Sequence, residues 1–465
     1  MNLVRFNHYI GVKIPLSLLS ATFSVSRFEG RKLLVIITIL AVTLTVESQI
    51  GYIADFIPEQ LSSSQGIAGF IGIWAIFTVT QYYILAFIKF NNRASTSRAR
   101  FVYYVHNAVT VIQYLLAGMI AFVILQILLA QQYDTVMLSV VLSISYGLWI
   151  VTLSLLAIAF LSWYGLRKEK NLMVLILAMS MIAYVVNGAI GLYFNVDLLM
   201  QQKPVIRNGD VAVFKVASIS AELEDIMNIA NTIASGVAYV LTWIGTVMLL
   251  RPYMKSFGRI KFWVIMATVM VYYLIAFPLE LLGILSYEDP EMAIRNILIF
   301  TLAAVFTGVI FGAAFLSVAR TLRLGSPVRN HMIIAAYGFL LFYIAGSASV
   351  NQAAYPPYGL VSIAFAGLSC YMIYSGLYLS AVSVSQDMTL RKSIRKSVIE
   401  QSKLLHNIGT AEMERQVQKQ VLSIATRTSN AIAEETGVQA SMNEDEMKDY
   451  VELVIRELQA KPPQK

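Results

Sequence analysis

The sequence contains very few charged residues and almost no cysteine. Charged residues make up 13% of its 465 residues, against about 25% in soluble domains, so a soluble globular protein is excluded. The single cysteine, Cys370, excludes an intramolecular disulfide and a cysteine-rich metal site. We expect Cys370 to be a small residue that is buried or faces lipid.

Catalytic signatures are also missing. The sequence has no Gly-x-x-x-x-Gly-Lys phosphate loop, no His-Glu-x-x-His motif and no Gly-x-Ser-x-Gly elbow. Its four histidines are scattered along the chain, so no metal site is predicted. The apolar runs contain no Lys or Arg, which excludes a retinal Schiff base and a voltage sensor built on basic residues. We predict that the protein is not an enzyme and has no cofactor.

Long apolar runs are what the sequence has in quantity. Hydrophobic residues make up 57% of the chain, and about 20 apolar residues of helix are needed to cross a bilayer core about 30 Å thick. This pattern predicts an all-α fold, a polytopic transmembrane bundle of about ten spans with a small C-terminal helical region. The predicted spans are 33–53, 67–88, 101–130, 136–165, 172–194, 226–250, 262–285, 297–319, 332–348 and 360–382.

Basic residues fall in alternate connections between these runs. Nineteen lie in segments 1–32, 89–100, 167–170, 251–261 and 320–329, whereas the other connections hold only Lys203, Arg207, Lys215 and Arg295. Because basic loops stay on the cytoplasmic side, we predict a multi-pass protein of the cell membrane with both termini in the cytoplasm. The net charge of +8 then reflects the lipid bilayer as partner and not nucleic acid.

Three segments follow from this division. Residues 1–32 form a cytoplasmic arm that either lies in the lipid headgroup layer or is disordered, and residues 33–382 form the bundle, whose first span is a retained anchor. The external loop 195–225 contains the turn sequence Asn208-Gly209-Asp210, which permits a short hairpin. This loop is either a cap over the bundle or a simple connection.

The third segment, 383–460, is predicted to be a cytoplasmic helical tail. Residues 377–408 contain no Gly or Pro, so we expect the last span to continue as one helix until Gly409 ends it and Thr410 caps the next helix. An apolar stripe on the helix after Gly409 favours a small bundle, a homodimer or contact with a cytoplasmic protein. The stripe consists of Met413, Val417, Val421, Ile424 and Ile432, and the predicted contacts with anionic lipid headgroups are Arg391, Lys392, Arg395 and Lys396.

Polar residues inside the spans are the candidate binding residues. Glu47 and Glu280 are intramembrane carboxylates, which usually face a partner, a cavity or water, although both are also placed to reach the headgroup layer. Candidates for the same cavity are Gln126, Asn187, Asn228 and Asn231, and a second polar group comprises His106, Asn107 and Gln81. The spacing of Ala304, Gly308 and Gly312 predicts a close helix contact, within the bundle or across a dimer.

Two functional classes fit these features best. The long last helix favours a receptor or sensor that passes a signal to the cytoplasmic tail. The alternative is a secondary transporter of a small solute, coupled to protons or cations, which the ten spans and the intramembrane carboxylates favour. A structural or assembly subunit of a membrane complex needs no binding site and remains a third class.

Overall fold

The computed structural model gives the course of most of the chain. The residues it leaves undescribed are 1–15, 55–56, 94–99, 167–170, 201–204, 209–210, 214–220, 255–257, 272–289, 323–325, 349–354, 387–399 and 437–465.

Helices dominate the described residues, as the apolar runs predict. Their bounds are α1 Leu16–Ile53, α2 Pro58–Ser62, α3 Ser64–Arg93, α4 Arg100–Ala130, α5 Thr135–Leu166, α6 Leu172–Met200, α7 Ala221–Leu250, α8 Arg259–Val271, α9 Pro290–Arg320, α10 Pro327–Gly346, α11 Leu360–Gln386 and α12 Glu400–Thr436. Pro58, Pro290 and Pro327 each open a helix, where a missing backbone N–H costs nothing.

Nine of these helices are long and apolar enough to cross a membrane, counted over the described residues alone. They correspond to nine of the ten predicted spans, and the protein is a multi-pass membrane protein. The remaining predicted span, 262–285, coincides with α8 only as far as Val271, and the rest of it lies outside the described residues. The number ten therefore stays a prediction. The arm before the first span is helical from Leu16 onward, in one piece with that span.

A small sheet marks one end of the bundle. Strand β1 (Gln132–Tyr133) follows α4, and β2 (Val205–Asn208) and β3 (Val211–Val213) follow α6. The β2 and β3 strands pair antiparallel with Asn208 opposite Val211, which confirms the hairpin that the turn sequence permits, and β1 adds to its edge. We call this end of the bundle the sheet end, and the opposite end, where α5 and α11 finish, the tail end.

Helix α11 forms the centre of the bundle. All of its residues are buried except Tyr378, Ser383 and Gln386, and its closest neighbours are α5 and α10. A helix that is apolar all round is expected to be enclosed by others. Small residues allow this close approach, since Gly367 lies against α5 and Gly376 lies against α10.

The tail helix does not prolong the last span. Along α12 from Gly409 to Arg415, the neighbouring residues on α11 run backwards from Val384 to Tyr378, so the two helices pass each other in opposite directions. The prediction of one continuous helix to residue 408 is therefore wrong. Gly409 also does not end a helix, because it lies inside α12, where a Cβ atom would overlap with the side chain of Val384.

Candidate functional site

The sheet end of α11 is closed by a buried carboxylate from α1. Oε1 of Glu47 accepts hydrogen bonds from the backbone N–H groups of Gly359 (2.6 Å) and Val361 (3.0 Å). Oε2 accepts the N–H of Ser362 at 2.9 Å and also the Ser362 hydroxyl. The first N–H groups of a helix have no partner within it and carry partial positive charge. Glu47, with no exposed surface, therefore acts as the N-terminal cap of the central helix.

The turn before α11 is shaped to reach Glu47. Gly359 has a φ of +93°, a left-handed conformation that glycine adopts without steric cost. One helical turn beyond Glu47, Gly51 lies against the backbone of Tyr358 and Gly359, at 3.1–3.3 Å from where its Cβ would be. The Tyr358 hydroxyl donates to the carbonyl of Gly66 at 2.7 Å. Burial is the main cause that raises the pKa of the Tyr358 hydroxyl, and the nearby Glu47 carboxylate raises it further.

Among the described residues, none of the other predicted binding residues is hydrogen-bonded to Glu47. Asn187 on α6 donates to the side-chain oxygen of Asn231 on α7 at 2.9 Å, which links two helices. Gln126 is half-buried on α4, and its Oε1 has no hydrogen-bond partner among the described residues. Glu280 and the side chain of Asn228 lie outside the described residues. The described candidates therefore occupy three separate places in the bundle.

The small residues of α9 lie against α10 of the same chain. Cβ atoms at Gly308 and Gly312 would approach the carbonyl oxygens of Leu340 and Ala336 to 2.8 and 2.7 Å, and Ala304, one turn earlier, is half-buried. This close contact is intramolecular at both glycines. The predicted lipid contacts Arg391, Lys392, Arg395 and Lys396 lie outside the described residues.

The tail end of the bundle holds a second buried carboxylate. Glu412 of α12 is 4% exposed, and its Oε2 accepts the indole N–H of Trp163 on α5 at 2.8 Å. The Arg415 guanidinium lies 3.4 Å from the same oxygen, and the Gln416 amide donates to Oε1 at 3.2 Å. We call Trp163, Glu412 and Arg415, together with Tyr378 of α11, the tail contact.

Aromatic rings connect the tail contact with the middle of α11. The Trp163 and Tyr378 rings stack at 6.1 Å, and Tyr378 stacks on Tyr374 at 5.5 Å. One turn further, the Tyr371 ring lies 6.4 Å from that of Tyr374, and its hydroxyl is hydrogen-bonded to Nδ1 of His106 at 2.9 Å. A row of polar-tipped rings thus extends along α11 from mid-bundle to α12.

Helix α12 presents apolar side chains on two opposite faces. Leu404, Leu405 and Ile408 are buried against the bundle, in the same helical face as Glu412. The predicted stripe lies about 180° away, at 100° per residue. Of its described side chains, Met413 is half-buried and the other three are exposed. Its exposed members are Val417 at 43%, Val421 at 38% and Ile424 at 66%.

The tail contact could not be found from the sequence. Glu412 stands near the predicted start of a tail helix, but its partner Trp163 is 249 residues away.

Within the described residues, no group of three His, Cys, Asp or Glu side chains is arranged to hold a metal ion. Comparisons with protein-family models, curated proteins and solved structures give no match.

Proposed function

We propose that this multi-pass membrane protein is a receptor or sensor in which the central helix α11 passes the state of the bundle to the tail helix α12. The observation that carries this proposal is the tail contact, where a buried carboxylate of α12 is held by Trp163 of α5 beside Tyr378 of α11. A tail that served only as a tether would need no such contact.

The energetics of the tail contact suit a switch. A buried carboxylate requires hydrogen-bonded or charged partners, and a hydrogen bond to a charged group contributes about 1.5–3 kcal/mol. A small rotation or shift of α5 or α11 that separates Trp163 from Glu412 would remove this contribution. It would then favour a different position of α12.

The orientation of the protein in the membrane is part of the same proposal. The nineteen basic residues in alternate connections favour a cytoplasmic tail end, with both termini in the cytoplasm of a cell. The exposed stripe of Val417, Val421 and Ile424 would then face the cytoplasm, where a protein partner or a second copy of the tail can bind it. Anionic lipid headgroups remain the proposed partners of the basic residues between α11 and α12.

Secondary transport is the second candidate. It is favoured by buried polar side chains inside the bundle that have no hydrogen-bond partner in the described part of the chain, among them Gln81 and Gln113. In a transporter, α12 would be a passive attachment, and its position would not depend on the state of α11.

Loss of the tail contact is expected to release α12. Trp163→Phe keeps an aromatic ring beside Tyr378 but removes the N–H donor, and Glu412→Gln removes the charge. We expect each to lower the ratio of docked to undocked α12 about tenfold or more, as 1.5–3 kcal/mol implies. Spin labels at the exposed residues Leu172 and Ser423, in a Cys370→Ser background, would measure this as a broader or longer distance distribution.

A control and a remote perturbation sharpen the result. Trp243→Phe also removes an indole hydrogen bond, to the carbonyl of Met266, but it does so between α7 and α8, outside the tail contact and the central helix, and should leave the distances unchanged. Ser362→Ala weakens only the cap at the opposite end of α11. If α11 relays its state, Ser362→Ala should shift the distances as well. Unchanged distances in Ser362→Ala, with altered ones in Trp163→Phe, would favour the passive tail of a transporter.

Labelling of single cysteines tests the orientation. In the Cys370→Ser background, Asn208→Cys at the sheet end should react with a membrane-impermeant maleimide applied to intact cells. Ser423→Cys on α12 should react only after the membrane is permeabilised. The opposite pattern would reverse the proposed topology and place the exposed stripe outside the cell.

A further inference from the structure

Among the residues that the structure describes, two glutamines inside the bundle have no hydrogen-bond partner. Gln81 of α3 and Gln113 of α4 are both fully buried, and neither the oxygen nor the nitrogen of either amide is bonded. Each primary amide can accept two hydrogen bonds and donate two. An unsatisfied buried polar group costs about 1–3 kcal/mol. Two buried amides without hydrogen-bond partners therefore indicate a bound molecule that satisfies them.

The helix register brings the two amides together. The indole of Trp74 on α3 donates to the carbonyl of Ala117 on α4 at 3.0 Å. Trp74 and Ala117 therefore lie at the same height along the two antiparallel helices, and this height serves as the reference level. Gln81 lies seven residues beyond Trp74 toward the tail end, and Gln113 lies four residues from Ala117 in the same direction. At 1.5 Å and 100° per residue, both point along the shared face, about 10 and 6 Å from that level.

The surroundings restrict the chemistry of the occupant. His106 lies on the same face of α4 as Gln113, toward the tail end. By helical rise it is about 10 Å beyond Gln113 and about 6 Å beyond the level of Gln81, and its Nδ1 is hydrogen-bonded to the Tyr371 hydroxyl. The predicted spans contain no Lys or Arg, and both oxygens of the Glu47 carboxylate are hydrogen-bonded to the start of α11. Lys89 of α3 is close enough to His106 to act on it electrostatically, but it lies about 12 Å beyond Gln81 toward the tail end by helical rise. A neutral molecule therefore matches the two amides better than an ion does.

We propose that Gln81 and Gln113 form a binding site for a small uncharged molecule that both donates and accepts hydrogen bonds, with the His106–Tyr371 pair at its tail side. Water is the smallest such molecule, and a small alcohol or amide has the same chemistry. Bound between α3, α4 and α11, the molecule stands at the start of the row of rings that leads to the tail contact. The site thereby supplies an input for the proposed sensor, and in that respect it rests on the proposed function.

Radiolytic hydroxyl-radical footprinting of the full chain in nanodiscs tests the site, because ordered water near a side chain promotes its oxidation. We expect His106 and Tyr371 to be oxidised several times faster than Tyr133, which is equally buried at the sheet end. The Gln81→Leu and Gln113→Leu double variant should lose this excess. Thr78→Val is the matched control on α3, since its hydroxyl is already bonded to the carbonyl of Trp74 at 2.9 Å, and it should keep the excess.

Added solutes identify the occupant. If glycerol or formamide slows the oxidation of His106 and raises the melting temperature in the wild type and Thr78→Val only, the site takes small neutral solutes. If they change neither quantity, while the excess oxidation still depends on the glutamines, the occupant is water. Oxidation at the rate of Tyr133, or an excess that persists in the double variant, would overturn the site. The spin-label distances of α12 do not enter these results, so the site and the signalling role can fail separately.

Discussion

Replacing Glu47 with alanine is expected to destabilise the whole bundle by at least about 3 kcal/mol. Three backbone N–H groups at the start of α11 would lose their acceptor, and each buried unsatisfied group costs about 1–3 kcal/mol. Glu47 is fully buried, so bulk water does not solvate these N–H groups in the folded protein. The measurement is thermal or denaturant unfolding of the full chain in nanodiscs, compared with the wild type.

Glu47→Gln should fall between the wild type and Glu47→Ala. Its amide oxygen can still accept two hydrogen bonds, but its NH₂ group would face donors from Ser362. Glu59→Gln provides the control, because Glu59 is exposed in α2 at the same end of the bundle, and such surface changes lie within about 0.5 kcal/mol. If Glu47→Ala unfolded like Glu59→Gln, the cap would have no structural weight, and the interpretation of Glu47 as a ligand-binding residue would regain support.

Local sequence determines what could be predicted of this fold. Each span is a run of apolar residues, and the bilayer leaves a helix as the only way for such a run to bond its backbone, so nine runs could be recognised as spanning helices without knowledge of their neighbours. The β2–β3 hairpin was equally accessible, because its turn residues and alternating strands are adjacent in the chain.

Contacts between distant residues account for what could not be predicted. The intramembrane position of Glu47 marked it as unusual, but nothing near it in sequence indicates that its partners are the start of α11, more than 310 residues away. The same limit applies to Gln113, which reads as one polar residue in an apolar run. Its unpartnered state depends on which helices enclose it.

Gly409 shows local rules overridden by packing. Glycine after an amphipathic run commonly ends a helix, and the cost of glycine within a helix is about 1 kcal/mol relative to alanine. Here the absence of a side chain lets α12 lie directly on Val384 of α11, and the burial of Leu405 and Ile408 on that face compensates for the lower helix propensity.

Substitution of Gly376 is the second change with a large expected effect. A Cβ atom at this position of α11 would lie 2.6 Å from both the backbone nitrogen of Ala335 and the carbonyl oxygen of His331 on α10. These are backbone atoms of a packed helix, so they cannot rotate away as a side chain can. Overpacking of this kind costs about 1–3 kcal/mol, occasionally more. We expect Gly376→Ala to reach the upper part of that range and Gly376→Leu to prevent assembly of the native bundle.

Gly118→Ala separates this effect from the general consequence of replacing a helical glycine. Gly118 lies within α4, and a Cβ atom there would meet nothing within 4 Å, so the change should be neutral or stabilising by up to about 1 kcal/mol through helix propensity. Unfolding of both variants in nanodiscs gives the comparison. A melting temperature for Gly376→Ala at or above that of Gly118→Ala would mean that α10 and α11 are further apart than the structure has them. In that case the enclosure of α11, on which the relay to α12 depends, would have to be abandoned.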